Sequence, residues 1–241
     1  RSACHAPAAE RRLAVLAAYA WFSRAGEGEV SRLVWSRWRP EMALETAVCA
    51  AKSWFNRVLL ATYLSPATKI DCWLDPGEAG DFRFVPLIDA QSLFEESRLM
   101  NNCADQYGAA IVSNRSRLFS VRSGERRIAT IEIQAHPREK TALSITQLKS
   151  VCNMPAGLEI WQAAYRWLGS QSRLIEAGPA RAHAEPVVTQ EVWTRLFHGY
   201  RAAHRGACWL PATPSLDDIA SLEAGLASLA RDCCVRSWLF N

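Results

Sequence analysis

The chain of 241 residues predicts an α+β protein with an N-terminal helical bundle, a central small antiparallel sheet packed with helices, and C-terminal helices. Three observations carry that expectation. Apolar residues recur at helical spacing at both ends of the chain. Between them lie short runs with strand-type alternation, at 118–122, 127–134 and 143–149. Two stretches of altered composition, 65–80 and 169–186, separate a helical region at 1–64, an α+β core at 81–170 and a helical region at 187–241.

The N-terminal helices are read from their stripes and their breakers. Leu13, Leu16, Ala17 and Ala20 share a helical face that ends at Arg24-Ala25-Gly26. A second helix is expected over 30–39. Pro40 suits the first turn of a third, running to residue 60, with Leu44, Val48, Trp54, Phe55, Val58 and Leu59 on its apolar side. Pro, Gly and Asp then mark a connection over 65–80, within which 70–74 reads as a short strand, and 82–86 reads as another that leads into the central stretch.

The central stretch is the most informative. Asp89 and Ser92 suit the start of a helix bearing Leu93, Phe94, Leu99 and Met100, with Glu95 and Glu96 in its early turns. Asn101 and Asn102 interrupt it. Cys103, Tyr107, Ala110 and Ile111 then recur at near-helical spacing. The three strands that follow form an antiparallel meander, the first two joined through Ser123, Gly124, Glu125 and Arg126. By parity, Thr130 and Glu132 share one face and Ala129, Ile131 and Ile133 the other, while Leu143, Ile145 and Gln147 share a face on the third strand. An apolar helix over 158–168, with Ile160, Trp161, Ala164 and Trp167, is placed to cover the sheet. Helices over 189–204 and 215–239 close the chain, the latter opened by Ser215 and Asp218 in a capping box.

The signatures Leu93, Glu96, Met100, Asn102-Cys103, Tyr107, then 119–122, Ala129-Thr130 with Glu132, and finally Gln147 and Asn153 resemble in order and spacing those of the PcfJ-like protein family. The resemblance covers roughly 70 residues. It implies a bacterial setting, in a plasmid, another mobile element or a defence system, and carries over no particular activity. Two positions depart from the pattern: Asn102 stands where many members have His, and Ser150 where Gly is common. Asn102 could not replace a His acting as a base.

Composition narrows the function classes. Hydrophobic residues make up 49% and charged residues 22%, the balance of a globular chain. The net charge of +4 permits a nucleic-acid partner without arguing for one. No apolar run reaches the roughly 20 residues that span a bilayer. Eight cysteines show no CxxC pair and no Cys/His cluster at zinc spacing, so no metal is expected. With no signal-peptide pattern, reduced thiols in the cytoplasm are the expectation. The absence of a Walker loop, GxGxxG, HExxH or GxSxG argues against ATP- or NAD-dependent chemistry, and no cofactor is expected.

Two functions from different classes remain. The first is an accessory module that binds nucleic acid or a protein partner through cations beside aromatics, with Arg37, Trp38 and Arg39 and the hairpin arginines Arg122, Arg126 and Arg127 as its contacts. Trp facing inward on an amphipathic helix is the structural alternative for the first three. The second is an enzyme with Cys103 as nucleophile and Glu132 as strand carboxylate, and with Asn102, Tyr107, Thr130, Gln147 and Asn153 as ligand-binding groups. A helix start beside Cys103 would favour the thiolate, although free cysteines are more often core residues. Glu132 would otherwise be an exposed strand residue paired with Arg122, Arg126 or Arg127. Geometry separates the two functions. Convergence of Cys103, Glu132 and Gln147 on one pocket supports the enzyme, and a continuous arginine surface with a sealed Cys103 supports binding.

Overall fold

The computed structural model describes residues 8–25, 28–39, 41–65, 67–135 and 142–171, together with 191, 195, 198–200 and 202. The chain is α+β and divides into two compact units, 1–58 with 187–241, and 59–186. Among the described residues no helix is long and apolar enough to cross a membrane. The expected helix over 215–239 lies outside the described residues, as does most of 189–204.

The first unit holds α1 (Ala8–Ala25), α2 (Glu29–Arg32) and the larger part of α3 (Leu44–Tyr63). Its core joins Leu16, Tyr19 and Phe22 of α1 to Val48, Trp54, Phe55 and Val58 of α3. The Phe22 and Trp54 rings lie 5.7 Å apart, and Tyr200 stacks on Phe22 at 5.8 Å. Tyr19 and Phe22 take the buried face of α1, whereas Ala17 is exposed. Leu44, expected in the core, is 57% exposed at the first turn of α3.

The helix expected over 30–39 stops at Arg32. Tertiary bonds hold the next residues in another path. Arg57, buried in α3, donates from Nε to the Leu33 carbonyl at 2.8 Å and from Nη1 to Ser53 at 2.6 Å. Tyr19 donates its hydroxyl to the Ser36 carbonyl, and the Trp38 amide donates to Ser23 Oγ. Arg39 also precedes Pro40, whose ring disfavours helical backbone at the residue before it.

The second unit is built on a five-stranded antiparallel sheet in chain order: β1 (Gly77–Ala79), β2 (Phe82–Pro86), β3 (Ser116–Ser123), β4 (Arg126–Ala135) and β5 (Leu143–Ser150). β1 arises inside the stretch expected to be a connection, and 70–74 is irregular. There the Ile70 amide donates to the Ile88 carbonyl at 2.7 Å, and Arg117 donates to the Asp71 carbonyl.

One face of the sheet is apolar. Phe84, Phe119, Val121, Ala129, Ile131, Ile133 and Leu148 pack with Ile160, Ala163, Ala164 and Trp167 of α6 (Leu158–Gly169). Phe84 and Trp167 stack at 4.5 Å with their planes 3° apart. Each such fully buried large side chain contributes about 1.5–3 kcal/mol. A Cβ on Gly77 would meet the Trp167 ring at 3.0 Å, so the approach of the ring to β1 depends on glycine.

The other face carries α4 (Ala90–Met100), a 3₁₀ turn (Ala104–Gln106) and α5 (Gly108–Val112). Of the two N-cap candidates Asp89 is the cap, and Ser92 at the third helical position bonds back to it, while Asn101 ends the helix in the left-handed region at φ 48°. Leu60, Leu64, Leu87, Leu93, Ala104, Ile111 and Leu118 form the cluster beneath these short elements.

Two irregularities set the register. Between Val121 and Arg122 of β3 the partner moves from Ala129 to Arg127, and between Glu132 and Ile133 of β4 it moves from Gln147 to Ile145. Ile128 and Thr146 are the extra residues, which is a β-bulge in each hairpin. The second bulge overturns the parity expectation for β5. Ile145 stands opposite Ile133 on the apolar face, whereas Gln147 stands opposite Glu132 on the other.

Candidate functional site

The second face of the sheet is polar because its alternate positions are Ser116, Ser120, Thr130, Glu132, Gln134, Gln147 and Lys149, with Leu118 among them. The turn after α4 lies over them. A pocket of about 280 Å³, its open mouth included, is lined by Asn102, Cys103, Ala104, Tyr107, Leu118, Thr130, Glu132, Gln147, Lys149 and Asn153. All seven residues expected to form the enzymatic or ligand-binding site therefore line one cavity. They come from the turn after α4, from β4, from β5 and from the 3₁₀ turn Val151–Asn153 that follows β5.

Glu132 is 4% exposed, so it is not the surface partner of the hairpin arginines. Its Oε1 accepts from Ser116 Oγ at 2.8 Å and Gln134 Nε2 at 2.6 Å, and its Oε2 accepts from the Tyr107 hydroxyl at 3.3 Å. All three donors are neutral. Burial, then the charge of Glu132, pushes the Tyr107 phenol far above its ordinary pKa, so it stays a donor.

Cys103 is half-buried, and its thiol donates to Asn153 Oδ1 at 3.9 Å. Burial pushes its pKa above the ordinary thiol value, and the carboxylates of Asp105 and Glu132 push it further. This corrects the expected thiolate. The helical piece that starts beside Cys103 is a single 3₁₀ turn of three residues, too short for an appreciable dipole. Desolvation and the two nearby carboxylates decide the outcome.

A chain of hydrogen bonds fixes the turn that bears Cys103. Glu96 is fully buried in α4, and its Oε1 accepts from Thr130 Oγ1 at 2.6 Å while Oε2 accepts from Arg127 Nε at 2.9 Å. Thr130 spends its only proton on Glu96. Its oxygen therefore accepts from Asn102 Nδ2 at 2.8 Å, and Asn102 Oδ1 accepts the Ala104 amide at 3.0 Å. An acceptor-only carboxylate at Glu96 thus sets the direction of every bond down to the backbone of the turn. Burial raises the Glu96 pKa, against hydrogen bonds from Thr130 and Ser120 and the charge of Arg127. Asn102 spends both ends of its amide on this chain, so it positions the turn.

On the opposite side of the mouth, Cys152 and Asn153 sit in the left-handed region at φ 58° and 56°. Such backbone is uncommon outside glycine and concentrates at functional sites. The conformation is held by the Ser150 amide on the Met154 carbonyl at 2.8 Å and by Asn101 Nδ2 on Cys152 Sγ at 3.3 Å.

The arginines expected to bind nucleic acid are divided between the two units. Arg37 and Arg39 are exposed around half-buried Trp38, in irregular backbone of the first unit. Arg122, Arg126 and Arg127 lie in the second unit. Arg127 is committed to Glu96 and, at 3.3 Å, to Glu95.

Sequence reasoning missed Lys149, Ser116 and Gln134 at the site. Lys149 is two residues from Gln147 on β5, and Gln134 is two from Glu132 on β4, so the period of two was the available signal. Among the described residues no group of three or more His, Cys, Asp or Glu side chains is placed to hold a metal ion. Comparison of the chain with family models, curated proteins and solved structures finds no match.

Proposed function

We propose that this chain is a PcfJ-like accessory protein of a bacterial mobile-element or defence system, and that the pocket beneath the Cys103 turn is its working site. The reading is enzymatic. Glu132 exchanges a proton with a bound small polar molecule, Tyr107 and Gln147 orient that molecule, and Cys103 contributes a neutral thiol to the wall. The observation that carries it is the convergence on one cavity of seven residues spread from Asn102 to Asn153, around a buried carboxylate with only neutral donors.

The test is conversion of pooled metabolite classes (nucleotides, amino acids, sugars and acyl compounds) followed by mass spectrometry, with Glu132→Gln as the paired control. Conversion by the parent and none by the folded variant is the expected result. No conversion of any pool overturns the enzymatic reading.

The second reading, nucleic-acid binding through the first unit, is favoured by the exposure of Arg37 and Arg39 beside Trp38. Oligonucleotide binding that weakens in Arg37→Ala/Arg39→Ala and falls with salt would support it. Oligonucleotide binding indifferent to those substitutions would dismiss it.

A further inference from the structure

We infer that the pocket takes a small ligand that bears a cationic or N–H-rich group at one end and an anion at the other. The inference rests on the reading of this pocket as the working site. Among the described residues Glu132 forms no ion pair, although it is 4% exposed. A buried carboxylate without an opposite charge is held at a free-energy cost. A ligand that brings a cation or a pair of N–H groups to it offsets that cost.

The second half of the match is Lys149. It lines the same pocket and is half-buried, and among the described residues its ammonium forms no ion pair. Lys149 stands opposite Thr130, two residues from Glu132, so the two charged residues are diagonal neighbours on one face. Such neighbours lie roughly 7–8 Å apart at the backbone. Gln147, directly opposite Glu132, and Asn153 add amides between and beside them. The two charges are not joined to each other, and a ligand that spans them satisfies both.

Charge and reach narrow the class. The space of about 280 Å³ counts the open mouth, so the site is a cleft that a ligand enters by its ends while the rest stays outside. Ligands that carry both groups at this reach are an amino acid, or the base-bearing end of a mononucleotide with its phosphate at the rim. Both share the required chemistry of donors toward Glu132 and an anion toward Lys149.

The experiment is a thermal-shift and calorimetric series on the full chain, with free amino acids in one arm and nucleoside monophosphates in another. Nucleosides and neutral sugars form the third arm. A saturable rise in melting temperature with a doubly charged compound is expected, with binding weakened about ten- to a hundred-fold by Glu132→Gln and by Lys149→Gln. The arm that responds identifies the source. Lys149→Gln alters a side chain at the rim, so it keeps the test decisive should Glu132→Gln fail to fold. Glu132-dependent binding of neutral compounds alone overturns this inference and leaves the pocket reading standing. Binding by nothing in the three arms overturns this inference, and the conversion assay then decides the pocket reading. Should Lys149→Gln lower the melting temperature without ligand while no compound binds the parent, Lys149 is simply the internal counter-ion of Glu132.

Discussion

Replacing Glu96 with Gln interrupts the hydrogen-bond chain at its source. A carboxylate accepts from both Thr130 and Arg127. An amide has one acceptor, so one of those donors must face its NH₂ group. Carboxylate–guanidinium attraction at about 4 Å is worth roughly 4 kcal/mol at an effective dielectric of 20. Removing a carboxylate from water costs several kcal/mol, and the raised pKa of Glu96 says that desolvation outweighs its partners. The two largely cancel, and the mispaired donor remains. Glu96→Gln should therefore cost about 1–3 kcal/mol, a fall of roughly 3–10 °C in melting temperature for a chain of this size. The local effect is more telling. With the direction of the chain lost, Asn102 releases the Ala104 amide and the Cys103 thiol becomes easier to alkylate. A double cycle with Arg127→Met isolates the pair, and the double variant should be less destabilised than the sum of the singles by about 1 kcal/mol or more. Additive singles, or a Glu96→Gln protein with both melting temperature and Cys103 labelling unchanged, would refute the assignment of Glu96 as the residue that orients the turn.

Alkylation against pH, mapped by mass spectrometry, should show Cys103 reacting more slowly at neutral pH than exposed Cys49 and Cys152, with an apparent pKa above the ordinary thiol range. Fast labelling of Cys103 would contradict the electrostatics of its wall. Asp89 and Glu96 should have opposite effects on stability against pH. Burial pushes Asp89 up, but Lys69 and Ser92 outweigh it and hold its pKa below the ordinary value. Its contribution is present above the unfolded pKa and lost as pH falls through the folded one. Glu96, raised, contributes stability that is fully present below its unfolded pKa and lost as pH rises through its folded pKa. Chemical denaturation between pH 3 and 7, at about one-unit steps, should show a steeper acid loss in Glu96→Gln and a shallower one in Asp89→Ala. Gly108→Ala puts a Cβ 2.7 Å from the Tyr63 ring and 2.9 Å from Leu60, so it should cost about 1–3 kcal/mol. Gly169→Ala, with nothing within 4 Å, is the control and should stay within about 1 kcal/mol of the parent in thermal melts.

The parts of this fold that sequence made legible are those determined locally. Asp89 and Ser92 cap α4 through bonds three residues apart, and the turn at Gly124 joins β3 to β4 because glycine accepts a positive φ there, 57°. Leu143, Ile145 and Leu148 are spaced by two and then by three. That broken period signals a bulge, and a strict parity reading passes over it. The path of residues 33–38 was not legible, because its backbone bonds go to Arg57, Tyr19 and Ser23, all distant in sequence. The arginines of the hairpin could be counted in the sequence, yet only the fold shows that Arg127 turns to Glu96. For the site, residue types, spacing and the PcfJ-like resemblance together named seven lining residues. They did not name the chain from Glu96 that orients them, whose direction depends on which atom donates to which.

The two-faced sheet also constrains how the protein can go wrong. A one-residue slip of β4 would carry Thr130 and Glu132 toward the side where Trp167 packs, and would turn Ile131 and Ile133 toward the polar side. The pocket's carboxylate therefore guards strand register while the chain folds, independently of any ligand. Drift toward an apolar pocket would remove the proposed ligand contacts and, in the same step, make mispaired sheets easier to form. Selection for correct assembly alone would then preserve much of this polar face, so its persistence among relatives would need a biochemical readout before it could be credited to catalysis.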